Sequence, residues 1–519
     1  MTKKEFFAIF LILIIATFFR FWNITTTPPG LYPDEAMNGN NALEANATGQ
    51  YKTYYPENNG REGLFINIQA ASVAIFGNHP WSLRIVSALF GVFTVLGIYF
   101  LTKTIFPKKI ILALSTTLML ALSFWHTNFS RIGFRAIMVP FCLVWSFYFI
   151  ISAWQKKKIW PAIMGGIFFG IGFHTYIAFR FAPFLALVPI IYYFFQNKKS
   201  RELKKYFQIL FAWLGIAFLV ALPIGLYFLN NPGDFFGRSG QVSIFNSTNP
   251  LLDLGESIGK TAIMFNFYGD CNWRHNYACR PQLDLFTGIF FLLGLVLTFK
   301  TIFSKHKNGI EAQNNPNRFP YILILIWMAI MAFPSILTKE GLPHALRAIG
   351  MIPPVFILAG IGFEFLWKTF KERSKKIGLV ILMISILFIA LYNGGQYLAW
   401  GQKQEVKGSF DDKYALIADY LNSSSPDIKK YVLVNTGGTL VNDIPMPSQS
   451  IMFITDTYRT AQQQEKNIFY ILPENINQIT SPAIIIPLQN NEDTGQSIIK
   501  IFPNNSIIDV GGFSVFKIK

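Results

Sequence analysis

The stretch EFFAIFLILIIATFFRFWNITTTPPGLYPDEA, residues 5–36, decides how this chain is read. From 5 to 22 it is apolar except for Glu5, Thr17 and Arg20, close to the ~20 residues needed to cross a hydrocarbon core. A polar, proline-containing turn follows, and then two adjacent acids, Asp34 and Glu35. Carboxylates at a membrane boundary are costly to desolvate, so their placement asks for a chemical reason.

The rest of the 519 residues extends the first half of that pattern. The chain is 52% hydrophobic, 16% aromatic and only 14% charged, against roughly 25% charged in soluble domains. Eleven apolar runs are long enough to span, at about 5–22, 82–105, 110–129, 135–154, 159–176, 179–195, 206–229, 284–303, 319–337, 348–367 and 377–397. The first run is too long for a signal-peptide core and has no small-residue cleavage pattern before Pro28-Pro29, so it is expected to stay as an anchor. Three cysteines exclude a disulfide scaffold.

Charge supplies the orientation. The net +17 divides into +19 over the first 397 residues and −2 over 398–519. A basic excess between apolar spans is a topology signal before it is a nucleic-acid signal, and no nucleic-acid partner is expected. Alternate connections hold Lys3, Lys4, Lys103, Lys108, Lys109, Lys156 to Lys158, and the basic clusters of 198–205, 300–318 and 368–376. The positive-inside rule makes these cytoplasmic and puts the tail outside. The exterior connections instead carry ten Arg against three Lys. Either those arginines pair with exterior carboxylates, or they form a site for an anion, since guanidinium is the better bidentate partner for phosphate or carboxylate.

Most of the connecting length is also exterior, at about 23–81, about 230–283 and 398–519. Connections of that size are usually functional. Short helices are expected at 34–47 and 62–76. In the tail, a helical pattern at 411–421 precedes strand-like runs at 431–434, 451–454, 468–472, 483–486 and 513–516, which argue for a small α/β domain. Trp22, Trp81, Trp125 and Trp400 suit interfacial belts.

Asp34 and Glu35 admit three readings. A carboxylate near low dielectric can take a proton from an attacking hydroxyl or amine; an acidic pair can hold a hard divalent cation; or Asp34 caps a helix whose dipole Glu35 complements. Elsewhere, Arg131 and Arg135 are four apart and would share a helical face if the fourth span starts early. Cys271, His275 and Cys279 are spaced four and four. Zinc would need a further ligand, so an extracytoplasmic Cys271–Cys279 disulfide is the more economical reading. No Walker loop and no dinucleotide turn is present.

These pieces have an order. Leu31-Tyr32-Pro33-Asp34-Glu35-Ala36 is followed by Asn58-Asn59-Gly60-Arg61-Glu62-Gly63-Leu64-Phe65 and Ser82-Leu83-Arg84-Ile85-Val86-Ser87. Further on come Ser130-Arg131-Ile132-Gly133-Phe134-Arg135, Gly269-Asp270-Cys271-Asn272-Trp273-Arg274-His275-Asn276 and Pro343-His344-Ala345-Leu346-Arg347. Over roughly 5–397 this resembles the GT-C membrane glycosyltransferases, nearest to glycosyltransferase family 39, which includes protein O-mannosyltransferases and lipid A aminoarabinose transferases. The two cysteines depart from that pattern, and the resemblance does not reach the tail.

The resemblance implies an α-helical integral membrane protein of about 11 transmembrane helices with the GT-C fold. A catalytic domain over 1–397 would be followed by a small extracytoplasmic α/β domain over 398–519, in the cell membrane with the active site outside. It implies an inverting transferase, moving a mannose-like hexose or an aminosugar from a polyprenyl-phosphate donor to a protein or lipid/glycan acceptor. Asp34 matches the acidic residue regarded as the catalytic base or acceptor-orienting group, and Glu35 its neighbour. Arg131, Arg135 and Arg347 are candidates for the donor phosphate, because a leaving phosphate needs cations fixed beforehand. Glu62, Arg61, Asp270, Arg274, His275 and His344 form a second tier of substrate contacts; Arg61 and Glu62 are also open to pairing with each other. No cofactor is required; a divalent metal, Mg or Mn, would fall to Asp34 and Glu35. The rival class is a multi-pass transporter or flippase of a lipid-linked anion, which should show helix-breaking residues near mid-bilayer, whereas these acids crowd at one surface.

Overall fold

A computed structural model of the chain describes residues 2–198, 202–241, 243–304 and 317–519. Parts of the basic connections at 198–205 and 300–318 therefore lie outside the described residues. The chain divides into two compact units, one of 1–22 and 87–399, the other of 23–86 and 400–519.

The first unit is helical. Counting helices that begin in or run into it, eight are long and apolar enough to cross a membrane among the described residues: Pro80–Ile105, Arg135–Lys156, Ile177–Asn197, Leu203–Asn230, Leu285–Phe303, Phe319–Ile336, Ile349–Glu372 and Lys376–Gly401. Shorter apolar helices occupy Ile110–Leu122 and Ile159–Gly172, and the chain begins with Lys3–Phe21, capped by a Thr2/Glu5 capping box. Each expected apolar run overlaps a helix, but Ile110–Leu122 and Ile159–Gly172 are shorter than the spans expected at 110–129 and 159–176. Exposed apolar side chains explain what solvates them: on Leu203–Asn230, Phe211, Phe218 and Leu219 are all more than half exposed, which water would not tolerate over so long a stripe. Between helices the contact is made by small residues, as lipid-solvated packing requires. At Leu285–Phe303 against Ile352–Glu372, a Cβ on Gly294 or Gly362 would collide with the Leu358 or Phe290 carbonyl.

Two local expectations fail here. Arg131 and Arg135 do not share a helical face: Arg131 follows the short Phe124–Phe129 helix, and Arg135 opens a 3₁₀ turn, Arg135–Ile137, after Phe134 in an extended conformation. Trp125 and Trp400 are not belt residues but fully buried; Trp125 Nε1 donates to the Ala345 carbonyl at 3.2 Å.

The second unit joins the first long connection to the tail. Its sheet runs in the order Ile468–Ile471, Lys429–Leu433, Ala483–Pro487, Phe513–Ile518, Asn505–Val510. The first three strands are parallel and the last two pairings antiparallel. Alternate residues face two apolar layers: Val432, Ile484, Ile486 and Val515 meet Ile417, Leu421 and Ile451, while Tyr431, Leu433, Ile485 and Phe516 meet Ile476 and Ile498.

The run at 451–454 is no strand; it lies in the helix Gln449–Thr455. A short, wholly buried apolar run carries no period that separates helix from strand, and tertiary contacts decide it. Ser450 Oγ donates to the Leu31 carbonyl at 2.7 Å, and Asn40 Nδ2 donates to Gln449 Oε1 at 2.8 Å. Phe453 packs against Gly39 so closely that a Cβ there would strike its ring. Gln449–Thr455 thereby docks on the Pro33–Thr48 helix and holds the acidic turn to the sheet.

Candidate active site

The acidic turn is built by Pro33, which opens the Pro33–Thr48 helix where its missing N–H costs nothing. Asp34 and Glu35 fall in the first turn, where the dipole favours negative charge. No side-chain cap forms there, so the capping reading of Asp34 is not realised. The neighbours then diverge. Asp34 is half-buried and accepts from Asn58 Nδ2 at 2.7 Å. Glu35 is fully buried and accepts from Arg84 Nε at 2.9 Å. Arg84 spends its other nitrogens on the turn, Nη1 on the Pro28 carbonyl at 2.5 Å and Nη2 on the Gly30 carbonyl at 2.9 Å. One guanidinium thus ties Glu35 to the loop that enters the helix.

Arg61 and Glu62 are both buried. Arg61 donates to Asn38 Oδ1 at 2.7 Å and Asn41 Oδ1 at 2.6 Å, and lies 3.9 Å from Glu57. It braces the same helix one and two turns beyond Asp34. Glu62 precedes the Gly63–Phe76 helix and pairs across strands with Tyr54.

In the first unit the cationic candidates have assigned neighbours. Arg131 Nη1 donates to the Phe19 carbonyl at 2.9 Å, with its guanidinium 4.9 Å from the Tyr397 ring centre. Arg135 lies 5.5 Å from the Tyr176 ring centre. Arg347 donates to Thr338 Oγ1 and the Glu340 carbonyl, both at 2.8 Å, and to Glu340 Oε2 at 3.2 Å. Since the Glu340 side chain is 65% exposed, that pair is the replaceable kind. Lys339 turns to Asp253 at 2.9 Å; hydrogen bonds from Ser247 and then Lys339 hold the Asp253 carboxyl below the usual range.

The loop 269–280 is closed by a Cys271–Cys279 disulfide. Inside it Asp270 accepts from the Asn272 amide at 2.8 Å and from His275 Nδ1 at 2.9 Å. The Ala345 amide reaches the same Asp270 oxygen at 2.8 Å, and His344 Nδ1 stands 4.0 Å from it. Arg274 contributes its carbonyl to Asn128 Nδ2 at 2.7 Å. Among the described residues the one grouping of three or more donors placed to hold a metal is Asp270, His275 and His344.

Arg20, counted among the exterior arginines but given no role in the sequence reading, is fully buried. It donates to His126 Nδ1 at 2.7 Å and to the Leu120 and Ala121 carbonyls ending the Ile110–Leu122 helix. A cavity lined by Asn266, Asn276, Arg280, Gln282, Asn393 and Gln396 also went unread; both Gln282 amide atoms are buried without a hydrogen-bond partner. Scattered amides have no spacing that would announce them.

Comparison with known proteins agrees with this architecture. Residues 64–227 match the family described as dolichyl-phosphate-mannose-protein mannosyltransferase. Among solved structures, ArnT from Cupriavidus metallidurans bound to undecaprenyl phosphate superposes with a TM-score of 0.55 at 14% identity, over 98% of this chain and 97% of that one. The Archaeoglobus fulgidus oligosaccharyltransferase in complex with Zn and sulfate gives a TM-score of 0.51 at 13% identity, over 92% of this chain and 67% of that one. Comparison with curated protein sequences finds no match. The chain thus shares the fold of these solved membrane proteins, and its residues 64–227 carry the match to the mannosyltransferase family.

Proposed function

We propose that this protein moves a sugar, a mannose-like hexose or an aminosugar, from a polyprenyl-phosphate donor to a protein or lipid/glycan acceptor on the non-cytoplasmic face of the cell membrane. The observation that carries the reading is the likeness, over nearly the whole of both chains, to a protein crystallised with undecaprenyl phosphate, joined to the mannosyltransferase family match over 64–227. The basic cytoplasmic connections support the orientation.

The reaction needs a nucleophile, a leaving group and a proton acceptor. The acceptor oxygen or nitrogen bonds to the anomeric carbon as the bond from that carbon to the phosphate oxygen breaks. Polyprenyl phosphate leaves, configuration inverts, and the acceptor's proton passes to a carboxylate. Asp34 is assigned that carboxylate, since it is half-exposed and held by a single neutral amide, Asn58, whereas Glu35 is committed to Arg84. Glu35 is therefore a positioning residue. Charge on the leaving phosphate is assigned to Arg347, Arg131 and Arg135. Arg347 suits it best, because a phosphate can take the place of Glu340. The rival transporter reading has no comparable support.

The test is to supply the purified protein with a panel of radiolabelled polyprenyl-phosphate sugars and follow label leaving the lipid. Consumption of one donor by the parent and none by Asp34→Asn is expected. Undiminished transfer by Asp34→Asn removes the base assignment, and consumption of no donor by the parent removes the reading itself.

A further inference from the structure

The loop 269–280 and the segment 343–347 are far apart in sequence, and neither carries a metal motif by itself. They meet around one carboxylate oxygen. Asp270 Oδ2 has His275 Nδ1 at 2.9 Å and His344 Nδ1 at 4.0 Å, and the ligand atoms of the three residues all lie within 4.8 Å of one another. Asp270 and His275 are buried and His344 is half-buried. The two imidazole rings lie 4.9 Å apart, tilted by 37° to one another.

We infer that Asp270, His275 and His344 bind a divalent transition-metal ion of the zinc class. Bonds of ~2.0–2.2 Å to nitrogen and oxygen in tetrahedral geometry hold ligand atoms ~3.3–3.5 Å apart, inside the spread observed, so side-chain shifts of under about an ångström close the site. Two imidazoles and a carboxylate suit zinc, whereas magnesium and calcium demand oxygen ligands. Three protein ligands leave a fourth position for water.

The surroundings are those of a prebuilt site. The Cys271–Cys279 bond staples the loop that carries Asp270 and His275, and Asp270 Oδ1 accepts the Asn272 amide, which fixes the carboxylate plane. Asn276 Nδ2 ties down the Asp270 and Arg280 carbonyls at 3.0 and 2.5 Å. Such outer hydrogen bonds orient metal ligands. The ion's task is positional: it clamps the 270–275 loop to the segment whose next turn carries Arg347, so the cation assigned to the donor phosphate is held by the same knot.

The inference does not depend on the transferase reading, because its readout is metal. Full-length protein without an affinity tag, purified in lipid nanodiscs and exchanged into metal-free buffer, is analysed by plasma mass spectrometry. About one zinc per chain is expected. His344→Ala, at the half-buried ligand, should fall below about a tenth of that while keeping the parent's circular dichroism; Asp270→Asn is the second variant. After chelation, cobalt should restore ligand-field absorption typical of nitrogen and oxygen ligands in the parent and not in either variant, and zinc should raise the melting temperature of the parent alone. A parent that takes up neither zinc nor cobalt shows the three residues to be a hydrogen-bonded brace and overturns the proposal. Variants that bind as much metal as the parent overturn it equally.

Discussion

Two corners of the molecule each place an arginine beside an acid, and they do opposite things with it. At 28–84, Arg84 is sealed: its nitrogens are spent on Glu35 and on the Pro28 and Gly30 carbonyls, and both charged side chains are buried. At 338–347, Arg347 reaches an acid whose side chain is 65% exposed. A buried pair cannot be opened without stranding a charge in low dielectric, whereas in the second pair Arg347 is only 10% exposed but its acid faces water and can be replaced. The first corner therefore builds geometry, and the second has an arginine, anchored by Thr338 and the Glu340 carbonyl, whose acidic partner can be replaced. The same contrast separates Glu35 from Asp34, one residue apart on one helical turn.

That contrast can be broken at several points. The largest effect is expected from Asp34→Asn, which should lower transfer of label from donor lipid by about 10²–10⁴-fold with an unchanged melting temperature; an equal fall in stability would make Asp34 structural, like its neighbour. Arg84→Ala should act the other way, destabilising the protein by about 3–5 kcal/mol in denaturation, because it leaves Glu35 buried and uncompensated. If Arg84→Ala unfolds like the parent, the sealed corner is not sealed. Arg347→Ala should cost about 1.5–3 kcal/mol of transition-state stabilisation, roughly 10–150-fold in kcat/KM, with Arg347→Lys recovering part of it. The smallest effect belongs to the staple beside that second corner: replacing Cys271 and Cys279 by Ser should cost about 2 kcal/mol, read as a lower melting temperature, and reductant should reproduce it in the parent.

Some of this was legible from residue order. The spans were, because crossing hydrocarbon imposes a length and an apolarity that leave a mark on every 20-residue window. Asp34 and Glu35 were legible as a pair, because two acids after a proline turn at a membrane edge are conspicuous. Their division of labour was not, since it depends on Arg84, which arrives 49 positions later. The run 451–454 was misread as a strand because four buried apolar residues fit either period, and its docking against Gly39 and Leu31 made it a helix. Asp270 and His275 stood out within one loop; the arrival of His344 at the same carboxylate is a matter of long-range packing alone.

By itself, then, the sequence determined the solvent of each segment and the bearers of charge, because hydropathy and side-chain chemistry are properties of residues taken singly or in short windows. Tertiary structure decided which acid is committed and which is available, which arginine is locked, and which imidazoles share an oxygen. Those outcomes depend on burial and on distances of 3–4 Å between residues far apart in the chain, and no local pattern encodes such a distance.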